Sequence, residues 1–208
     1  MTALGLFGAA LEAGGALFAV DDGGHAVSLP VGRWLAPATA VDERMLDRAR
    51  GPVLDIGCGP GRHVHALSRR GVLALGVDVS PVAVRLARER GAPALAASIF
   101  DRIPGAGTWR TALLLDGNIG IGGAPARLLT RTAALLSRDG EALVELDPPG
   151  APAQRLRLTL QHRDERSTAF PWARVPADAL AHPAQVAGLV VRELWDDDGR
   201  WFGRLGRP

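Results

Sequence analysis

The stretch PVLDIGCGPGRHVH, from Pro52 to His65, decides the fold. It begins as a short apolar strand, continues as a turn containing Gly57, Gly59 and Gly61, and ends as the start of a helix. A strand that passes through glycines into a helix brings backbone N–H groups and the positive helix end close to a ligand. Asp78 follows in LALGVDVS, at the end of the next predicted strand. This pairing predicts a nucleoside site in which the acid accepts hydrogen bonds from both ribose hydroxyls.

Strands and helices alternate from this stretch onward. The predicted strands are nearly continuous apolar runs, which is typical of parallel strands covered on both faces. They span 53–57, 73–78, 94–99, 111–116 and 141–147. Helices are predicted at about 61–70, 81–90, 124–137 and 176–187. The chain ends in an antiparallel hairpin, in which we expect Trp195 and Trp201 to face each other. The pattern predicts a doubly wound, Rossmann-like α/β sheet that is mostly parallel and finishes in this hairpin.

Two segments lie outside that pattern. Residues 1–50 contain a predicted helix around 3–13, a short hairpin and a second helix from about 42 to 50, so we expect an N-terminal appendage that is a candidate lid. Residues 51–208 form the main domain, with an insertion at about 148–175 after the fifth strand. Within it, RLRLTLQHR (155–163) alternates as a half-exposed strand. Trp34 and Trp172 lie in these two segments and are candidates for lining a pocket.

Composition narrows the class of protein. The chain has 208 residues, of which 47% are hydrophobic and 22% charged, so it can bury a sizeable core. All 24 basic residues are Arg, which indicates a GC-rich bacterial genome; they are interleaved with acids, so no basic stripe favours nucleic acid. Cys58 is the single cysteine, which excludes an intrachain disulfide and favours a reducing, cytoplasmic setting. The spacing of His and Cys predicts no metal site, and no apolar run predicts a signal peptide or membrane span.

The glycine turn departs from two common nucleotide-binding patterns. In the dinucleotide pattern GxGxxG, the third glycine permits close packing of helix on strand, but Arg62 occupies that place here. A phosphate loop of the GxxxxGK type is absent, because the chain has no Lys. Asp55 precedes Gly57 by two residues, and a carboxylate there would repel a pyrophosphate but hold a cationic amine. The turn therefore favours a nucleoside that carries an ammonium group.

VLDIGCGPGRH followed by GVDVS resembles motifs I and II of the class I S-adenosylmethionine-dependent methyltransferases. The terminal hairpin also fits their seven-stranded sheet. The resemblance implies methyl transfer with S-adenosylmethionine as the cofactor. It implies that Gly57, Cys58 and Gly59 pass under the methionine part and that Asp55 helps to hold its amino group. By the same resemblance, Asp78 holds the ribose.

Further site residues follow from the same resemblance. Val79 would flank the adenine. The loop after the third strand would meet the adenine through Ser98, Ile99 and Phe100, with Asp101 as the alternative contact for its amino group. At the end of the fourth strand, Asp116 and Asn118 would lie beside the methionine part and the acceptor. From the sequence alone, Asn118 is equally well interpreted as a turn residue in the glycine-rich loop DGNIGIGG.

The acceptor is harder to predict. A weakly acidic acceptor needs a base, for which Asp116, His25 and His162 are candidates, although no spacing selects one. We expect a small-molecule acceptor chosen by residues 1–50 and 148–175. Three alternatives stay open: a nucleic-acid or protein methyltransferase, an NAD(P)-dependent oxidoreductase, and a non-catalytic cofactor-binding module. DPPG (147–150) is similar to a motif of amino-group methyltransferases, but it follows the fifth strand and lacks the aromatic residue, so we interpret it as a loop.

Overall fold

The computed structural model describes all 208 residues. The helices in chain order are α1 (Ala3–Ala13), α2 (Val31–Leu35), α3 (Ala40–Leu46), α4 (Arg62–Arg69), α5 (Pro81–Glu89), α6 (Pro125–Leu135) and α7 (Ala181–Val186). The strands are β1 (Leu17–Val20), β2 (Ala26–Leu29), β3 (Val53–Ile56), β4 (Ala74–Asp78), β5 (Ala94–Ala96), β6 (Trp109–Leu114), β7 (Leu136–Leu146), β8 (Gln154–His162), β9 (Glu165–Arg166), β10 (Phe170–Arg174), β11 (Val190–Asp197) and β12 (Arg200–Gly206). Short 3₁₀ segments span Asn118–Gly123 and Ala177–Ala179.

A seven-stranded sheet forms the centre of the molecule, in the order β11-β12-β7-β6-β3-β4-β5. The five strands from β3 to β7 are parallel, and β12 runs antiparallel to both of its neighbours, β7 and β11. The predicted doubly wound α/β sheet with a terminal hairpin is confirmed. The chain leaves β3 toward β4 and β5 and then returns to place β6 on the other side of β3. Parallel sheets bind ligands at such a reversal, at the carboxyl ends of the strands.

Alternation along the strands divides the core between the two faces of this sheet. Leu54 and Leu114 belong to the buried cluster on one face, together with residues of α6 and α7. Val53 and Leu113 belong to the cluster on the other face, together with residues of α3, α4 and α5. Because both faces are covered by helices, the strands need apolar side chains in both directions. This explains why they appear in the sequence as continuous apolar runs.

The two segments outside the main pattern combine into one second sheet. Its strand order is β10-β8-β1-β2, and all neighbouring strands are antiparallel. The short strand β9 pairs with Gln161 and His162 of β8, beyond the part of β8 that pairs with β10. β1 pairs with β8 from Leu17 opposite His162 to Val20 opposite Thr159. Helix α1 packs on this sheet, and Leu6, Leu17 and Leu160 share a third apolar cluster with Ala83 of α5. We call α1, α2 and the second sheet (residues 3–35 and 154–174) the roof.

The terminal hairpin shows a register that differs by one residue from the prediction. Trp195 lies opposite Phe202, and their rings stack with centroids 5.5 Å apart, whereas Trp201 lies opposite Asp196. The predicted Trp195–Trp201 pair is therefore wrong. The turn closes between Asp197 and Arg200, and this closure sets the pairs as far as Glu193 opposite Arg204, where the register shifts.

None of the helices is long and apolar enough to cross a membrane.

Candidate active site

A cavity of about 600 Å³ lies between the carboxyl edge of the central sheet and the roof. On the sheet side it is lined by residues that follow β3, β4, β5 and β6, among them Gly57, Cys58, Gly59, Asp78, Val79, Ser98, Ile99, Asp116 and Asn118. On the roof side it is lined by apolar side chains, among them Leu4, Phe7, Trp34, Leu158, Phe170 and Trp172. Nine of the eleven predicted cofactor-site residues thus surround one space; Asp55 and Phe100 do not line it.

The glycine turn at the cavity floor has few free backbone donors. The N–H groups of Gly57 and Cys58 both donate to the carbonyl of Val77, at 2.8 and 3.2 Å. The N–H of Gly59 donates to Oδ2 of Asp78 at 2.9 Å, and the next residue is Pro60. A phosphate cradle needs several free N–H groups that converge on the anion. This turn has already used them, so it suits a ligand without a phosphate group.

Asn118 clamps the turn from the loop after β6. Its Nδ2 donates to the carbonyls of Ile56 and Gly57, both at 2.9 Å. A Cβ at Gly57, whose φ is +74°, would lie 2.6 Å from that nitrogen. Gly57 is therefore required for this contact as well as for its backbone conformation. Asn118 also lines the cavity, so it combines a structural role with a place in the site.

The glycines of the Asn118–Gly123 segment allow close approach to the roof. A Cβ at Gly120 would collide with the carbonyl oxygen of Ala173 and lie 2.6 Å from Nε1 of Trp172. A Cβ at Gly123 would lie 3.0 Å from Cβ of Pro171. The loop therefore carries β10 against the end of β6, and this places Trp172 in the cavity wall.

Asp78 presents a fixed carboxylate to the cavity. Oδ1 accepts from the N–H of Ser80 at 2.8 Å, and Oδ2 accepts from the N–H of Gly59 at 2.9 Å. Burial raises the pKa of Asp78, and the two backbone donors oppose that shift. Each carboxylate oxygen keeps acceptor capacity after its one hydrogen bond. The geometry fits two adjacent hydroxyl donors, as a ribose supplies.

Asp55 lies beneath the turn and is almost completely buried. Its Oδ2 has no hydrogen-bond partner, and the nearest cation is Nδ1 of His63 at 3.6 Å. The second ring nitrogen of His63, Nε2, lies 3.5 Å from Oδ1 of Asp42 on the other side of the imidazole. Burial alone would lower the pKa of His63, but the Asp42 and Asp55 carboxylates outweigh it and raise that pKa to about 9. His63 therefore carries a positive charge between two carboxylates at neutral pH.

A closed ring of ion pairs surrounds the end of β6. Arg62 donates to both carboxylate oxygens of Asp116, at 2.8 and 3.0 Å, and to Asp42 at 3.2 and 3.3 Å. Arg200 donates to Asp42 at 2.7 Å and to both oxygens of Glu145, at 2.8 and 2.9 Å. Glu145 in turn accepts the backbone N–H of Asp116 at 2.7 Å, which closes the ring. The ring holds Asp116 at a φ of +55°, a conformation that side-chain-bearing residues rarely adopt.

The ring also explains why Arg62 occupies the place of the third dinucleotide glycine. Arg62 is 3% exposed, and its guanidinium points into the ring rather than toward the strand. The preceding residue, Gly61, packs closely against α5 and the loop after it, where a Cβ would lie 2.8 Å from that of Ala87 and 2.9 Å from that of Ala92. Arg33 of α2 adds a further ion pair to Asp116, which ties the roof to the ring.

The three candidate bases differ in position. Asp116 lines the cavity, but its carboxylate is engaged by Arg62 and Arg33. Burial would raise the pKa of Asp116, yet the nearby Arg62, His63 and Arg33 hold it below its usual value. His25 lies at the exposed turn of the β1–β2 hairpin beside Asp21. His162 is buried, with Nδ1 3.0 Å from the carbonyl of Ala16. Neither histidine lines the cavity.

In the loop after β5, some of the predicted adenine contacts line the cavity and others do not. Ser98 and Ile99 line the cavity. Phe100 lies under the Arg127 guanidinium, 4.3 Å from its ring centroid, and Asp101 accepts the N–H of Ser98 at 3.0 Å. Asp101 thus supports this loop from outside the cavity wall.

Two other sequence features lie outside the cavity chemistry. Cys58 packs its sulfur against Gly76 of β4, and burial, with the charges of Asp55 and Asp78, raises the pKa of its thiol. A cysteine in this state is a packing residue rather than a nucleophile.

Asp147 of the DPPG stretch follows β7, the fifth parallel strand, and pairs with Arg174 at 2.7 Å. No group of three or more His, Cys, Asp or Glu side chains is arranged to hold a metal ion.

Arg33, Glu145 and Arg200 were not predicted as part of the site. Glu145 interrupts the apolar strand VELD, and a buried carboxylate needs a partner, so this position carried a signal. Arg33 and Arg200 belong to segments whose contacts with the ring come from distant parts of the chain, and no local pattern indicates them.

The central sheet shares the fold of S-adenosylmethionine-dependent methyltransferases, as the sequence resemblance predicted. Residues 53–102 match a family model described as a methyltransferase domain.

Solved structures share this fold over most of the chain. An S-adenosylmethionine-dependent methyltransferase from Bacteroides fragilis, in complex with S-adenosylhomocysteine, superposes with a TM-score of 0.79 at 21% identity, covering 98% of this chain and 93% of that one. The CcbJ methyltransferase from Streptomyces caelestis gives a TM-score of 0.64 at 17% identity, covering 99% and 98%. The 1,6-didemethyltoxoflavin-N1-methyltransferase from Burkholderia thailandensis gives 0.61 at 19% identity, covering 84% and 78%.

The charge on His63 predicts an alkaline loss of stability. The ordinary pKa of histidine is 6.5 and that of His63 in the folded chain is about 9, so the stabilising charge is fully present below pH 6.5 and lost as the pH rises through 9. Between pH 6 and pH 9.5, we expect the deprotonation of His63 to lower the free energy of unfolding by roughly 3 kcal/mol, as measured by urea titration at both pH values. His63→Gln should remove this pH dependence, whereas His65→Gln on the same helix should retain it. An equal alkaline loss in His63→Gln would contradict the assignment.

Proposed function

We propose that the protein is a methyltransferase that uses S-adenosylmethionine and transfers its methyl group to a small molecule. The observation that supports this most directly is the glycine turn. Its N–H groups are spent on Val77 and Asp78, while the Asp78 carboxylate lines the cavity and the buried Asp55 carboxylate lies beneath the turn with one oxygen unpartnered. This arrangement fits a nucleoside with a cationic tail better than a pyrophosphate.

The cavity residues fit the cofactor part by part. Asp78 would accept the ribose hydroxyls, and Ser98 and Ile99 would meet the adenine beside Val79. Gly57 and Gly59 would lie under the methionine part, where their missing side chains leave room. The unpartnered oxygen of Asp55 supplies negative charge near the amino group, directly or through water. When bound, the cofactor supplies an electrophilic methyl group.

The protein's own contribution is positioning. Asn118 and the ion-pair ring fix the ends of β3 and β6, so the cavity floor is rigid before any ligand arrives. The roof lies over that floor and supplies the opposite wall of the cavity. Holding two reactants in line accounts for much of the acceleration of a transfer reaction. We therefore assign Asp116 a positioning role, because its engaged carboxylate is poorly suited to act as a base.

A small-molecule acceptor is favoured by the roof. The cavity volume is within the range of small-molecule sites, and the roof, which is drawn from the segments 1–50 and 148–175, supplies its upper wall. A nucleic acid or protein would have to enter beneath this cover. The didemethyltoxoflavin methyltransferase with the same fold was crystallised with its small-molecule acceptor. We place the activity in the cytoplasm, because the single buried cysteine suits a reducing compartment.

Calorimetric titration tests this proposal. We expect S-adenosylmethionine and S-adenosylhomocysteine to bind with one site per chain, and NAD to give no saturable signal. Binding of NAD in place of S-adenosylhomocysteine would overturn the proposal in favour of an oxidoreductase. Binding of S-adenosylhomocysteine without methyl transfer to any acceptor would favour a cofactor-binding module.

A further inference from the structure

The roof side of the cavity carries no charge. Its side chains come from α1, α2, β1, β2, β8 and β10 and are all aliphatic or aromatic, with Phe7, Trp34, Leu158, Phe170 and Trp172 among the largest. Phe7 packs edge-on against Trp34, and Phe170 edge-on against Trp172, so the aromatic rings hold one another in place. Apolar walls of this kind recognise an acceptor with an apolar body and disfavour charge placed against the wall itself.

The cavity also lacks a free base on the side of the acceptor. Its charged side chains are Arg62, Asp78 and Asp116, its one thiol is the buried Cys58 with a raised pKa, and it contains no His, Glu, Lys or Tyr. Asp78 is held by two backbone N–H groups on the cofactor side. Asp116 is held by Arg62 and Arg33, and those charges hold its pKa below the usual value. An acceptor in this cavity must therefore arrive with its lone pair already free.

We propose that the acceptor is an apolar thiol, methylated on sulfur as the thiolate; this inference rests on the proposed methyltransferase function. A thiol with a pKa of about 8.5 supplies a few per cent of thiolate at neutral pH without help, whereas a hydroxyl with a pKa of about 10 or more does not. An amine acceptor would leave a cation against the apolar roof with no free carboxylate to balance it. Methylation of a thiolate gives a thioether, which carries no charge.

The charge balance of the step favours this assignment. The thiol proton passes to solvent before the thiolate enters. A lone pair on the thiolate sulfur forms the new S–CH₃ bond, and the electrons of the broken bond between the methyl group and the sulfonium sulfur return to the donor. An anion and a cation become a neutral thioether and neutral S-adenosylhomocysteine. Opposite charges that neutralise each other gain most beside apolar surfaces, such as the wall that the roof supplies.

A matched set of acceptors tests the proposal. We would incubate the protein with methyl-labelled S-adenosylmethionine and 4-chlorobenzenethiol, 4-chlorophenol, 4-chloroaniline or glutathione, and measure kcat/KM for each. We expect kcat/KM for the apolar thiol to exceed that for the phenol, the aniline and the charged thiol by about 100-fold or more. Differences in ionisation and in desolvation combine to give an effect of this size. A phenol, aniline or glutathione rate equal to or above that of 4-chlorobenzenethiol would overturn it, as would no transfer to the thiol while S-adenosylhomocysteine binds.

A binding measurement tests the roof independently of activity. Leu158 points into the cavity from β8, and Gln161 is exposed on the same strand. We expect Leu158→Glu to weaken the binding of 4-chlorothioanisole to the protein loaded with S-adenosylhomocysteine by about tenfold or more, measured by calorimetry. Gln161→Glu adds the same charge outside the cavity and should leave this affinity unchanged. Equal affinity in both variants would overturn the apolar roof as the acceptor wall, whereas failure to bind S-adenosylhomocysteine in the unaltered protein would overturn the proposed function itself.

Discussion

Replacing Asp78 with alanine is expected to weaken the binding of S-adenosylhomocysteine by about 100-fold or more, while the chain still folds. The carboxylate is the only acid on the sheet side of the cavity that is free of a guanidinium partner. Two charge-assisted hydrogen bonds to a ribose contribute about 1.5–3 kcal/mol each, so their loss amounts to two or more powers of ten in affinity. Calorimetric titration of the purified variant measures this directly.

Asp78 also supports the turn, so the effect on folding needs its own control. The N–H groups of Gly59 and Ser80 lose their acceptor in Asp78→Ala, whereas Asp78→Asn keeps one carbonyl oxygen. We expect Asp78→Asn to bind with intermediate affinity and to unfold near the temperature of the unaltered protein. Asp101→Ala is the matched control, because that carboxylate lies outside the cavity wall. Unchanged affinity in Asp78→Ala would show that the ribose lies elsewhere.

Asp42→Asn is expected to lower the free energy of unfolding by about 3–5 kcal/mol. Asp42 has no exposed surface, and its carboxylate accepts from Arg62, Arg200 and the backbone of Thr39. Burial alone would raise the pKa of Asp42, but His63, Arg62 and Arg200 outweigh it and hold that pKa well below the ordinary value. Neutralising it leaves these cations buried without their shared anion, which costs more than the pairs contributed.

Urea unfolding followed by tryptophan fluorescence checks this expectation. The control is Asp47→Asn. Asp47 ends α3, the helix that contains Asp42, and its exposed carboxylate pairs with Arg70. A pair screened by water contributes little, so we expect the midpoint of the control to stay close to that of the unaltered protein. If Asp42→Asn unfolds at the same urea concentration as the control, the ring does not stabilise the fold.

Much of the central sheet could be predicted because its signals are local. The glycine turn, the apolar runs and the glycines after the helices each act within a few residues, and β3, β4 and the first turn of α4 follow them closely. The position of Asp78 beside the turn also follows, since the carboxyl ends of adjacent parallel strands share one edge. Arg62 excluded the dinucleotide pattern from the sequence, although its partners Asp42 and Asp116 come from segments 20 and 54 residues away.

The roof could not be predicted in the same way. Its alternating strand at 155–163 was visible, but the pairing of β1 with β8 joins residues more than 100 positions apart, and no local pattern selects a partner across such a distance. The same holds for Asn118, whose turn-like setting hid a clamp on the carbonyls of Ile56 and Gly57. The candidate bases His25 and His162 illustrate the limit, because a titratable residue type indicates chemistry only where the fold brings it to a cavity.

By itself, the sequence determined the doubly wound sheet, the glycine turn and the acids that face it, because strand periodicity, glycine conformation and charge act over short distances. Only the tertiary structure decided that residues 3–35 and 154–174 form one roof and that its cavity wall is apolar. It also decided that Asp116 is held by Arg62 and Arg33. Those features depend on contacts between distant segments, whose partners are selected by the packing of the whole chain.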